Sequence, residues 1–130
     1  MTDQHSTIAQ QQTEAVLQAL TELKGDLEHP RSADFVTGVR RAVTQVENLW
    51  RLACIGATRD PQGQLRTAEH KRDAAARLMD ELPNLLHTME EDARYQEGDH
   101  PEEVPHPAVG DGIIYGVSVI RRALHLNHQP

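Results

Sequence analysis

Ser32–Ala57, SADFVTGVRRAVTQVENLWRLACIGA, holds the chain's only Phe, only Trp and only Cys, and its spacing decides the fold class. Val36, Val39, Val43, Val46, Trp50, Ala53 and Ala57 recur at alternating steps of three and four, the repeat of one face of an α-helix. Phe35, Ala42 and Leu49 widen that face, whereas Arg40, Arg41, Glu47 and Arg51 keep to the other side. An apolar face this broad requires more than one partner helix. Ser32 suits an N-cap, and Asp34 lies in the first turn, where a carboxylate meets the positive end of the helix dipole. Gly56 stands where a left-handed residue would end the helix. On so regular a stripe, Phe35, Trp50 and Cys54 read as core contents and not as a site.

Working outward toward the N-terminus, Val16, Leu20, Leu23 and Leu27 repeat at helical steps and predict a first helix over Thr13–Leu27, stopped by Pro30. Residues 1–12 are polar and Gln-rich and read as a partly frayed tail. So short a link between the first two helices is most simply an antiparallel hairpin. Toward the C-terminus, Asp60, Pro61 and Gly63 mark a turn, and the next helix begins between Pro61 and Thr67. Its stripe of Ala75, Leu78, Leu82, Leu85 and Met89 runs through Pro83, which should kink or split it. Residues 98–107, GDHPEEVPHP, form an exposed acidic, Pro-rich loop. For Ala108–Leu126, Ile113, Val117, Ile120 and Leu124 follow helical steps, although GIIYGVSVI is also rich in β-branched residues. Helix is preferred over strand because a lone strand would find no partner elsewhere.

The expected fold is therefore all-α, a single-domain bundle of about four helices spanning residues 1–130. That length, with 38% hydrophobic residues, suffices to bury a core without disulfides or metal. A lone Cys54, with no basic-then-apolar leader, points to the cytoplasm. The longest apolar run, Ile113–Ile120, is far short of the roughly 20 residues of a membrane span.

The net charge of −7 is unevenly spread. Residues 90–111 hold eight acids, namely Glu90, Glu91, Asp92, Glu97, Asp99, Glu102, Glu103 and Asp111, against Arg94 alone, and no sequence neighbour neutralises them. The bases of the middle section, such as Arg40, Arg41, Arg51, Lys71 and Arg72, are interleaved with acids and lack aromatic residues at stacking spacing, so nucleic-acid binding is not expected. Asp111, Ser118 and His125 are each seven residues apart, about 10.5 Å along a helix, too far to act as a catalytic triad. Eight histidines are scattered, and no di-metal pattern of Glu-x-x-His on two helices occurs, so no metal or other cofactor is expected.

These features favour a non-enzymatic interaction module. It would be a small acidic regulator, inhibitor or adaptor that meets a basic protein surface through Glu90, Glu91, Asp92, Tyr95, Glu97, Asp99, Glu102 and Glu103, with Tyr95 as aromatic anchor. Gly112, Gly116, Val119 and Ala123 form a small-residue face suited to helix pairing, and with it a homodimer. The alternative is a helical-bundle metal- or small-ligand-binding protein or enzyme, whose inter-helix pocket uses His87 and Glu91, with His70 as a third candidate.

Overall fold

In a computed structural model, residues 7–26, 32–94 and 107–128 are described, and they form four helices with no strand among them. These are α1 (Ile8–Asp26), α2 (Ala33–Thr58), α3 (Ala68–Arg94) and α4 (Pro107–His128). The all-α bundle is thus as the spacing indicated, and the ambiguous last element is a helix. None of the helices is long and apolar enough to cross a membrane. The loop 98–107 lies outside the described residues, apart from Pro107 at the head of α4.

Local chemistry sets the helix ends. The Thr7 hydroxyl accepts from the Gln10 amide N–H at 3.1 Å, and the Gln10 side chain accepts from the Thr7 N–H at 2.9 Å. This reciprocal pair satisfies two donors that a helix start leaves open, so α1 begins at Ile8, five residues before the predicted Thr13. Ser32 caps α2, its hydroxyl accepting from the Phe35 N–H at 3.1 Å, and Thr67 caps α3 through the His70 N–H at 3.0 Å. The left-handed residue that ends α2 is Arg59, with φ 57°, and its N–H donates to the Ile55 carbonyl at 2.7 Å. Gly56, expected in that role, is an ordinary helical residue. Nor does Pro83 split its helix: α3 continues unbroken to Arg94 with Pro83 on the exposed side.

The core is built from one stripe of each helix: Val16, Leu20 and Leu23 of α1; Val39, Ala42, Val43 and Val46 of α2; Leu82, Leu86, Met89 and Ala93 of α3; Val109, Ile113, Val117 and Ile120 of α4. On α3 the buried position is Leu86, with Leu85 half-buried beside it. At about 1.5–3 kcal/mol for each fully buried large side chain, these stripes are the main source of stability. The middle of the second helix is central, as its breadth requires: α2 packs chiefly on α4 and α3. The consecutive helices α1 and α2 meet only lightly, since α1 packs on α4 and α3, so the hairpin expected from their short link is not the main contact.

The α2–α4 seam is the tightest part of the bundle. A Cβ on Gly38 would overlap the Val109 carbonyl and lie 2.9 Å from the Gly112 Cα, and one on Gly112 would overlap the Phe35 carbonyl. One turn on, a Cβ on Gly116 would lie 2.9 Å from the Ala42 Cβ. Residues 38 and 42 thus oppose 112 and 116 in the same order, so the two helices run parallel, backbone against backbone. Gly112 and Gly116 are buried in this contact, while Val119 and Ala123 are half-buried. The small-residue face therefore serves α2 of the same chain, and its two glycines present no surface to a second copy. Next to the seam, the rings of Phe35 and Tyr115 lie 5.7 Å apart and tilted by 44°, an arrangement that favours aromatic contact.

Candidate functional site

The acidic stretch begins on the last two turns of α3. Met89 and Ala93 face the core at 1% and 0% exposure, which turns Glu90, Glu91 and Asp92 off the stripe and toward neighbouring helices or solvent. Carboxylates here oppose the helix dipole, whose negative end lies at the C-terminus, at a cost of about 0.3–1 kcal/mol each. Cations from other helices offset it. The Glu90 Oε1 accepts from the Arg121 Nη2 of α4 at 2.5 Å, and the Asp92 Oδ2 accepts from the Arg41 Nη1 of α2 at 3.5 Å. Glu91 pairs within its own helix, 2.8 Å from the His87 Nε2. The acids without a neutralising neighbour in sequence therefore have two in space. The interhelical pairs are 35–44% exposed, so each is worth at most about 1 kcal/mol. Tyr95, Glu97, Asp99, Glu102 and Glu103, the rest of the expected surface, lie outside the described residues.

The residues expected in an inter-helix pocket are spread along α3. His87 and Glu91 lie on the outer face of α3, with side chains 65% and 60% exposed. His70 is in the first turn of the same helix, so its Cα lies about 25 Å from that of His87 along the axis, and one small ligand cannot engage both. The His70 Nδ1 is buried without a hydrogen-bond partner. Among the described residues no group of three or more His, Cys, Asp or Glu is arranged to hold a metal ion. Cys54 is buried, and that burial raises its thiol above the usual value, away from nucleophilic use at neutral pH.

Among the described residues, clefts open between helices at three places considered next. One of about 360 Å³ is lined by Leu49, Leu52, Ala53, Arg77, Asp80 and Glu81, and one of about 280 Å³ by Gln12, Arg121, Leu124 and His125. The third, of about 190 Å³, lies between Gln10, Thr13, Glu14 and Leu17 of α1, Trp50 of α2, Leu65 of the connecting loop, and Lys71 and Ala75 of α3. Periodicity could not reveal it: Thr13 reads from sequence as a helix start and Trp50 as core, whereas Thr13 is 4% exposed and Trp50 is half-buried on the cleft wall. Compared with protein-family models, curated proteins and solved structures, the chain matches none.

Proposed function

We propose that the chain is a small non-enzymatic interaction protein, a regulator, inhibitor or adaptor that docks a basic surface of a protein partner through its acidic stretch 90–103. The observation that carries this reading is the density of charge there, seven acids against Arg94 in fourteen residues. Such a concentration accelerates encounter with a basic surface and disfavours acidic ones. The pairs of Glu90 with Arg121 and Asp92 with Arg41 support it from below, because they hold the root of the stretch on α4 and α2. They also divide the labour: Glu90 and Asp92 are engaged within the bundle, so the partner is met by Glu91, Glu97, Asp99, Glu102 and Glu103, with Tyr95 as aromatic anchor. The reading places the protein in the cytoplasm, where a lone thiol stays reduced. If the chain also self-associates, the contact uses a surface other than Gly112 and Gly116; light scattering separates a 14.6 kDa monomer from its dimer.

The test reverses the five acids of the stretch outside the two interhelical pairs together (Glu91→Lys, Glu97→Lys, Asp99→Lys, Glu102→Lys and Glu103→Lys) and leaves those pairs intact. Affinity capture from the native host should recover a basic protein with the wild type and lose it with the variant, while the helical circular dichroism is unchanged. Raising salt should weaken the wild-type complex, since exposed charges are screened beyond about 10 Å at 0.1 M ionic strength. Capture that survives both charge reversal and salt would overturn the reading.

A further inference from the structure

An exposed leucine is ordinary when it stands alone. Leu52, 59% exposed in the interior of α2, does not: it lines the cleft of about 360 Å³ together with Leu49 and Ala53, and Arg77, Asp80 and Glu81 face them from α3. A Cβ on Gly56 would meet the Arg77 guanidinium, and Arg41 pairs with Asp92, so α2 and α3 run antiparallel and the groove between them follows both helix axes. Its charge is unbalanced. Arg77 is already engaged by Asp73 one turn earlier, Nε to Oδ2 at 3.2 Å. Asp80 and Glu81 are exposed and, among the described residues, have no ion-pair partner. Arg51, next to Leu52 in sequence, does not line the cleft. An apolar floor thus carries a rim of three acids against one cation. Two such rims brought face to face would set like charges against each other, which disfavours a second copy of the chain as the occupant. A basic guest with an apolar side chain meets both the floor and the rim.

We propose that the α2–α3 groove is a docking site for an amphipathic basic helix of a protein partner. A leucine or similar aliphatic side chain of that helix packs on Leu49, Leu52 and Ala53, and a lysine or arginine one turn away reaches Asp80 and Glu81. Aliphatic anchors spaced three or four residues apart are how a helix fills a groove between two others. The inference rests on the reading of a basic protein partner and adds a second contact to it. Glu81 and Glu91 lie on the same helix about 15 Å apart along its axis, so one partner can span the groove and the root of the acidic stretch. The apolar floor supplies most of the affinity, and the two unpaired acids select the sign of the guest.

The probe is a synthetic helical peptide of about four turns, roughly 14 residues, with leucines on one face and lysines elsewhere. One control peptide replaces the leucines by glutamine, and another replaces the lysines by glutamate. In ¹H–¹³C methyl spectra of the full chain, the leucine–lysine peptide should shift Leu49, Leu52 and Ala53 saturably. The glutamine control should bind there at least about tenfold more weakly, the loss expected when one buried leucine is removed, and the glutamate control should not bind. In the chain, Leu52→Gln should weaken the leucine–lysine peptide about tenfold. Asp80→Asn with Glu81→Gln should weaken it about threefold, less as salt is added. The chain carrying the five lysine substitutions in the acidic stretch should keep the shifts at Leu49 and Leu52, so failure of the stretch and failure of the groove are separate results. Loss of those shifts in that variant, shifts of wild type that do not saturate or that centre on residues 90–103, equal binding of the leucine and glutamine peptides, or unchanged binding by Leu52→Gln would each overturn the proposal. So would a dimer in light scattering that Leu52→Gln converts to a monomer, because a second copy would then be the occupant.

Discussion

Replacing Gly38 or Gly112 with alanine should destabilise the protein severely, although the same change elsewhere in its helices should stabilise it. Glycine in a helix interior costs about 1 kcal/mol relative to alanine, so Gly→Ala on a helix begins with a gain of that order. At Gly38 the new Cβ would overlap the Val109 carbonyl and sit 2.8 Å from the Ile113 nitrogen, and these are backbone atoms that no rotamer change can move. Ordinary C···O contacts in proteins run to about 3.3–3.6 Å, so α2 and α4 must part by roughly 1 Å or more. A gap of 0.5–1 Å already forfeits about a quarter to a half of each dispersion contact. The seam that opens is lined by Val39, Val43 and Val46 on one side and Ile113, Val117 and Ile120 on the other. Overpacking of this kind costs about 1–3 kcal/mol or more, and because a whole helix pair is wedged open, the upper end applies. After subtracting the propensity gain of about 1 kcal/mol from that upper end of about 3, the net loss is about 2 kcal/mol or more, or a fall in Tm of at least roughly 6–10 °C for a domain of this size. Gly25, with nothing within 4 Å of its Cβ position, is the matched control and should gain up to about 1 kcal/mol. Gly56 should behave like Gly25, since its only close neighbour is the flexible Arg77 side chain. Gly116→Ala is intermediate, and Ala42→Gly should rescue it by removing the opposing Cβ. Urea unfolding followed by Trp50 fluorescence, compared at constant m-value, reads all six variants. If Gly38→Ala and Gly25→Ala shift the midpoint in the same direction, α2 and α4 do not touch through their glycines and the parallel seam is wrong.

Other outcomes follow from single contacts. Thr13→Val should raise stability by about 1 kcal/mol, because it deletes a buried hydroxyl without a partner; a loss measured by thermal unfolding would mean that the hydroxyl is satisfied. Ser32→Ala should cost about 1 kcal/mol by leaving the Phe35 N–H unpaired, and Ser32→Asp should restore it. Cys54 should react with a thiol reagent far more slowly in the native chain than in urea. Because burial raises its thiol pKa, the unfolded chain loses this proton first as pH rises, so stability should fall above the unfolded thiol's pKa of about 8.5, and Cys54→Ala should remove that part of the slope. Asp92→Asn should cost less than about 1 kcal/mol, an effect that shrinks as salt is added.

Much of this fold is legible in the spacing of Val39, Val43, Val46, Leu78, Leu82, Ile113 and Ile120, because burial acts on one face of a helix and leaves its period in the chain. What periodicity misses is structure that does not depend on burial. Ile8 is 60% exposed, and the first turn of α1 is held by the Thr7–Gln10 capping pair, a polar signal set in a stretch with little apolar content. Glycines mislead for a related reason. A glycine can mark either a backbone angle or a need for space, and the two are identical in sequence. Gly56 looks like a helix terminator, yet the positive φ falls on Arg59; Gly112 and Gly116 do mark a close approach, but whether the approaching helix belongs to the same chain is a tertiary fact.

Charge is harder still to read along the chain, because its neighbours in space are not its neighbours in sequence. Asp92 and Arg41 are 51 residues apart, and Glu90 and Arg121 are 31 apart, yet both pairs close on the same end of α3. A helix stabilised by its own sequence alone would not place three carboxylates in its last two turns, where the dipole is negative. Their presence there is tolerated because Arg41 and Arg121 reach them, which makes these two arginines internal competitors for any basic partner. Neutralising them, with Arg41→Gln and Arg121→Gln, would free Glu90 and Asp92. If the acidic stretch docks a basic surface, the double variant should bind more tightly than wild type even as the bundle loses up to about 2 kcal/mol from two exposed pairs. A structural role for these acids alone predicts the loss of stability without the gain in binding, so the two measurements made on one variant separate charge kept for the fold from charge kept for a partner.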